Sequence, residues 1–127
     1  MHTETELTSF LIDYPSEMAF SGKDPGEVMD RWFVPGIVYR NDGLALDRQR
    51  LIDHVRPARK NAVDVQVDVH EALVSGQRIA AHYTLTATMR TGAQLATEIV
   101  MIGRLADDGR ISEIDQLTRV LRTEPNA

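Results

Sequence analysis

Residues 63–70 read Val63-Asp64-Val65-Gln66-Val67-Asp68-Val69-His70, with an apolar side chain at every second position. Successive side chains of a strand point to opposite faces, so this run is a half-buried strand with its valines on one face. The same period of two continues through 78–90, 94–105 and 110–121. Ser75-Gly76, Thr91-Gly92 and Asp107-Asp108-Gly109 separate the runs, and connections that short join consecutive strands as antiparallel hairpins. The C-terminal half is therefore a meander.

Upstream the period is helical. Leu7, Phe10 and Leu11 fall at i, i+3, i+4, the apolar stripe of an amphipathic helix. Pro15 steers Tyr14 out of helical geometry, which predicts a break or kink before the helix resumes through Met18 and Phe20. In Asp24-Pro25-Gly26-Glu27, Asp24 serves as N-cap, Pro25 takes the first helical position and Glu27 closes a capping box; Val28, Trp32 and Phe33 supply the buried stripe. Gly36 to Arg40 is β-branched and aromatic and ends in the turn Asn41-Asp42-Gly43. Asp47 then caps a third helix carrying Leu51, Ile52 and Val55, with Pro57 bending or shortening its end. Helices followed by a meander make an α+β fold, with the helices on one face of the sheet. One domain over 1–127 is expected, with 123–127 as a frayed tail.

A chain of 127 residues, 43% of them hydrophobic, can bury one core unaided. It has no cysteine, which removes disulfides, thiolate metal sites and cysteine nucleophiles and suits a reducing, cytoplasmic setting. The acidic start MHTETELTSF lacks the features of a secretory signal, and no apolar run reaches the roughly 18 residues of a membrane span. A net charge of −5 opposes nucleic-acid binding, and the short basic cluster Arg56, Arg59 and Lys60 reads as a solvated helix face. His2, His54, His70 and His82 lie on separate elements, so no metal site is expected, and His54 is placed on the outer side of its helix. Phosphate loops and nucleophile elbows are absent from the sequence, and no cofactor is expected.

The passage Met29-Asp30-Arg31-Trp32-Phe33-Val34-Pro35-Gly36-Ile37-Val38-Tyr39-Arg40-Asn41-Asp42-Gly43, the helix that follows it to Ala58, and the last hairpin, whose Asp-Gly turn leads into Arg110-Ile111-Ser112-Glu113-Ile114, resemble the nuclear-transport-factor-2-like superfamily in its SnoaL-like branch. That branch includes ketosteroid isomerase, limonene epoxide hydrolase and polyketide cyclases. The resemblance covers nearly the whole chain through loose motifs. It implies a cone-shaped, mainly antiparallel sheet around a deep pocket, often dimerised through the outer sheet face. The activity it implies is cofactor-independent cyclase, isomerase or dehydratase chemistry on a hydrophobic oxygenated small molecule. The alternative is a ligand-binding or dimerisation domain without turnover.

Hairpin registers assign the two faces. A two-residue Thr91-Gly92 turn sets His82, Thr84, Thr86 and Thr88 opposite Met101, Ile99, Thr97 and Leu95. A four-residue turn over 106–109 adds Ser112, Ile114, Gln116 and Thr118, and the Ser75-Gly76 turn brings in the valines of 63–69. This Val, Thr, Ile and Met face suits an apolar small-molecule pocket. His82, its only histidine, is the first catalytic candidate. Tyr14 is the second, standing by resemblance where ketosteroid isomerases carry an oxyanion-hole tyrosine. By the same resemblance Asn41 and Met101 stand at the positions of that site's general base and protonated acid, and Thr84 and Gln116 at those of the epoxide hydrolases' carboxylates. Tyr39, Asn41, Thr84, Thr97, Ile99, Met101, Ile114 and Gln116 are the ligand-contact candidates. The outer face receives Tyr83, Leu85, Val100, Ile102, Ile111 and Leu117 among charges, the pattern of a homodimer surface. A register error of one residue would instead bring Glu98, His70 and Asp115 inward, and Asp115 is a catalytic candidate only in that case.

Overall fold

The Thr3 side chain accepts a hydrogen bond from the Glu6 amide and starts α1 (Glu4–Phe20) in the computed structural model, which describes residues 1–121. The expected tail 123–127 lies outside the described residues. α1 runs unbroken through Pro15, where a break was expected. Leu7, Phe10, Leu11, Met18 and Ala19 are buried on both sides of that proline. Each large apolar side chain so buried contributes about 1.5–3 kcal/mol, which together outweighs the roughly 3 kcal/mol of an interior proline.

α2 (Pro25–Trp32) begins as expected, with the Asp24 carboxylate accepting from the Glu27 amide at 3.2 Å. It passes directly into β1 (Phe33–Asn41). Asp42 and Gly43 have φ of 52° and 82° and form a two-residue turn into β2 (Leu44–Leu46), a short strand with no clear period in the sequence. Positive φ at both central residues matches the twist of the flanking strands, and Asp-Gly tolerates it. Asp47 caps α3 (Arg48–Asp53) through the Arg50 amide at 2.8 Å. The expected third helix is interrupted at His54 and continues as α4 (Val55–Asn61). Pro57 explains the site of interruption, since it has no N–H to donate to Asp53 four residues earlier.

β3 (Ala62–Ser75), β4 (Arg78–Met89), β5 (Gln94–Leu105) and β6 (Ile111–Val120) form the meander. The six-stranded sheet has the order β2-β1-β6-β5-β4-β3, antiparallel except for the parallel pair β1 and β6. The side chain of Asp42 ties that pairing down, accepting from the Thr118 amide at 2.7 Å and from its hydroxyl. Helix α1 lies across the inner face of the sheet, and the core joins Leu7, Phe10 and Leu11 to Ile79, Met101, Ile111 and Ile114. No helix among the described residues is long and apolar enough to cross a membrane.

The registers correct one face assignment. Met89 N–H donates to Ala93 O at 2.8 Å, so the β4–β5 turn holds three residues, Arg90-Thr91-Gly92, with Gly92 at φ 88°. A three-residue turn closed by a left-handed glycine is a favoured alternative to the two-residue turn. It shifts the pairing by one and sets Tyr83, Leu85 and Ala87 opposite Ile99, Thr97 and Leu95. His82, Thr84 and Thr86 consequently face outward, while Tyr83 and Leu85, expected outside, face inward. Ile111, also expected outside, is fully buried beside Phe33 of β1.

On β5 and β6 the face assignment holds because two one-residue shifts add to a full side-chain period. Ala106 and Arg110 close a three-residue turn, and an irregularity between Arg104 and Leu105 moves the register once more. Gly103 sits at that irregularity, where an added Cβ would lie 2.4 Å from Glu113 O and 3.2 Å from Ile79 Cγ1. Gly103→Ala is therefore expected to cost about 1–3 kcal/mol in urea unfolding with an unchanged slope, whereas Gly36→Ala, with open space around it, stays within about 0.5 kcal/mol. Equal midpoints for the two variants would refute this account of the bend.

Candidate functional site

Between α1 and the inner face of the sheet lies a cavity of about 460 Å³. Its floor comes from β4, β5 and β6, where Tyr83, Leu85, Ile99, Met101, Ile114 and Gln116 point inward. Phe10, Leu11, Tyr14 and Met18 of α1 cover it, Phe33 and Tyr39 of β1 close one side, and Leu51, His54, Val55 and Ala58 close another. Val65 contributes from β3, and Val67 and Val69 pack against the adjoining core.

All three tyrosines of the chain line this cavity. Tyr14 is wedged between Phe10 and Phe33, with ring centroids at 5.0 and 5.4 Å. Tyr39 is hydrogen-bonded to the side chain of Gln116, and Gln116 Nε2 donates to Asn41 Oδ1 at 2.9 Å. Gln116 is the one buried polar side chain in the core of the described residues, and this chain of partners satisfies it. Burial holds the phenol of Tyr39 up at about 12, with the hydrogen bond to Gln116 opposing the shift. Tyr14 and Tyr83 are raised further, by burial first and by the neighbouring Tyr39 second. Among the described residues the lining contains no carboxylate, lysine or arginine; its polar side chains are Tyr14, Tyr39, Tyr83, Gln116 and His54. At neutral pH the site thus offers neutral hydrogen-bond donors in an apolar enclosure.

Of the residues singled out from the sequence, Tyr14, Tyr39, Ile99, Met101, Ile114 and Gln116 line the cavity. Asn41 touches it through Gln116, and Thr97 shares the inner face without reaching the cavity. His82 and Thr84 do not belong there: the three-residue turn puts them on the outer face. Asp115 also points outward, because the face exchange is confined to β4 and the two-residue shift on β6 leaves its faces unchanged. Sequence reasoning missed Tyr83, Leu85 and His54. The first two follow from the turn length; His54 was assigned to the outside of a helix that in fact breaks at that residue.

The outer face gathers the charges. His82 Nε2 lies 2.9 Å from Glu98 Oε2, and Arg119 Nη2 lies 2.8 Å from Glu98 Oε1. The His82 hydrogen bond, reinforced by the Arg119 charge, holds the Glu98 carboxyl below its ordinary range. His70 Nε2 bonds Thr84 Oγ1 at 2.8 Å, and the His70 and His82 rings lie 4.7 Å apart. Glu98 and Arg119, and Arg104 and Glu113, are directly opposed across the strands. No group of three or more metal-ligating side chains occurs among the described residues.

Residues 15–114 match the SnoaL-like domain family. The chain belongs to that family. SnoaL-like folds among solved structures align over most of its length. AclR, a proposed hydroxylase from Streptomyces galilaeus, superposes with a TM-score of 0.66 at 20% identity, covering 92% of this chain and 91% of AclR. IdmH, a proposed polyketide cyclase from Streptomyces antibioticus, gives 0.67 at 16% identity, covering 94% and 92%. A proposed SnoaL-like polyketide cyclase from Jannaschia sp. CCS1 gives 0.65 at 18%, covering 91% and 84%. At these identities the likeness establishes the fold. No curated protein matches the sequence.

The raised phenols make a measurable claim. Absorbance titration of the folded protein is expected to show no tyrosinate at pH 10, with Tyr39 ionising near 12 and Tyr14 and Tyr83 above it. Each folded pKa lies above the ordinary 10.0, so the neutral phenols' contribution to stability is complete below pH 10 and is withdrawn as pH climbs through 12. Tyrosinate appearing at pH 10 before any unfolding would contradict the buried site.

Proposed function

We propose that the protein is a cofactor-independent enzyme acting on a hydrophobic, oxygenated small molecule, of the cyclase, isomerase or dehydratase type, in a cytoplasmic setting. One observation carries this reading: three protonated tyrosines and Gln116 converge on an otherwise apolar cavity of about 460 Å³. Such a volume falls within the range of small-molecule sites. A carbonyl oxygen at the Tyr39 and Gln116 end would meet preplaced donors, which stabilise an enolate or alkoxide more than its neutral parent. The apolar walls fix the carbon skeleton, so a flexible substrate would be held in one folded shape, and positioning alone lowers a cyclisation barrier substantially. The structural relatives proposed as polyketide cyclases are consistent with a substrate of this type.

One observation favours a second reading, ligand binding without turnover: among the described residues the lining has no carboxylate to serve as general base. β-Tetralone separates the two, being apolar and carrying one ketone with exchangeable α-protons. The enzyme reading expects deuterium from solvent to enter the α-carbon faster than in buffer. It expects Tyr39→Phe and Gln116→Leu each to lower that rate at least about tenfold, because an unpaired buried oxygen costs 1–3 kcal/mol. Ile99→Trp, which fills the cavity, should abolish binding, and His82→Gln should leave exchange within about twofold. Binding at the buffer rate of exchange would establish the second reading, and unaltered exchange in Ile99→Trp would place the chemistry elsewhere.

We also propose a homodimer through the outer sheet face. Val100 and Leu117 are cross-strand neighbours, 49% and 66% exposed, and Ile102 beside them is 57% exposed. Burying three such side chains is worth about 5 kcal/mol before association costs. Light scattering at micromolar concentration should give twice the chain mass, and Val100→Glu should halve it. A monomeric wild type would end the proposal.

A further inference from the structure

His54 is the exposed polar residue of the cavity lining, and it sits with Leu95, 46% exposed, where the cavity meets solvent. The break between α3 and α4 puts it there. Arg50 precedes it by one helical turn, and His54 N–H donates to Arg50 O at 3.1 Å, so the two side chains emerge as i, i+4 neighbours. Neither side chain has a hydrogen-bond or ion-pair partner among the described residues. Nearby acids are committed elsewhere: Asp47 caps the Arg50 amide, and Asp53 accepts from Gln49 Nε2 at 2.9 Å. The surrounding segment, 48–60, carries five cations against one acid in a chain of net charge −5. Arg48 is tied to Asp30 and Arg59 to Met18 O, whereas Arg50 and Arg56 are uncommitted among the described residues, and of these two Arg50 stands one helical turn before His54.

We propose that the pocket's ligand is an amphipathic carboxylate, its apolar body in the cavity and its carboxylate held at the mouth by Arg50 and His54. The inference rests on the small-molecule reading above and narrows its substrate class. An anionic group is disfavoured deep inside, where burial already keeps the phenols neutral and no cation is present. At the mouth, a permanently charged guanidinium and an imidazole donor can pair with it without being stripped of water. The ligand therefore has two polar ends of different kinds, a neutral oxygen at Tyr39 and Gln116 and an anion at the rim, joined by an apolar body.

Calorimetric titration with dodecanoate, methyl dodecanoate and dodecanol tests this. The wild type should prefer the carboxylate over the ester by at least about tenfold at low salt, less at high salt. Arg50→Gln with His54→Gln should bring the ratio close to one while leaving the ester's affinity within about twofold. Arg56→Gln, on the same basic segment but not at helical i, i+4 spacing from His54, should leave the ratio unchanged. Equal affinity for acid and ester in the wild type overturns the proposal while leaving the pocket reading intact. So does a preference that survives the double substitution, or one that Arg56→Gln removes equally, since the cause is then a diffuse field. Failure of all three probes to bind overturns both.

Discussion

The amide of Met89 closes on the carbonyl of Ala93 across three residues, and that closure decides which half of β4 the cavity receives. Strand side chains alternate strictly, so a turn with one residue more or fewer exchanges every residue of the strand between faces. With Gly92 in the left-handed region, the turn sends Tyr83, Leu85, Ala87 and Met89 inward and His82, Thr84 and Thr86 outward. A two-residue closure would line the cavity with threonines and a histidine and leave a tyrosine and a leucine on the outside. The core enforces the observed choice, since Tyr83 packs with Ile99 and Met101 in one buried cluster.

A second constraint follows. Gln116 is buried on the same floor, and a buried amide left unpaired is destabilising by about 1–3 kcal/mol. Its partners come from the one place where the sheet turns parallel: Asn41 and Tyr39 on β1, registered against Gln116 and Ile114 on β6. The Asp42-Gly43 turn fixes that register, Asp42 donating its amide to Gln116 O at 2.9 Å and receiving Thr118 through its carboxylate. The polar end of the cavity and the parallel strand pairing are thus one structural feature, and Tyr39, Asn41 and Gln116 are held by backbone pairing.

Much of this was legible. The period of two in 63–70 gave the sheet, and Asp24-Pro25, Asp42-Gly43 and Asp47 were read correctly because each places a specific side chain or φ where local geometry requires it. Ile99, Met101, Ile114 and Gln116 came out on the right face only because a three-residue turn and a nearby irregularity displaced the register by one residue each. The β4 face was misread because Thr91-Gly92 serves equally well as the whole of a two-residue turn or the end of a three-residue one. Local sequence does not distinguish these; packing of Tyr83 and Leu85 does. Pro15 was read as a break or kink because local geometry was weighed without the buried stripe on either side of it, and His54 was misplaced because Pro57 was taken to bend or shorten only the end of the helix, whereas the interruption falls at His54 itself.

The resulting division of chemistry between the two faces bears on mechanism. Every carboxylate of the sheet that has a firm charged partner, Glu98 with His82 and Arg119 and Glu113 with Arg104, lies outside, where water shares the cost of the charge. Inside are phenols held in their neutral form by burial. A carboxylate base in that enclosure would itself be pushed toward its protonated form unless a cation accompanied it, and none does. What the cavity presents to a ligand is accordingly neutral hydrogen-bond donors and apolar walls, with His54 the exposed polar residue of its lining.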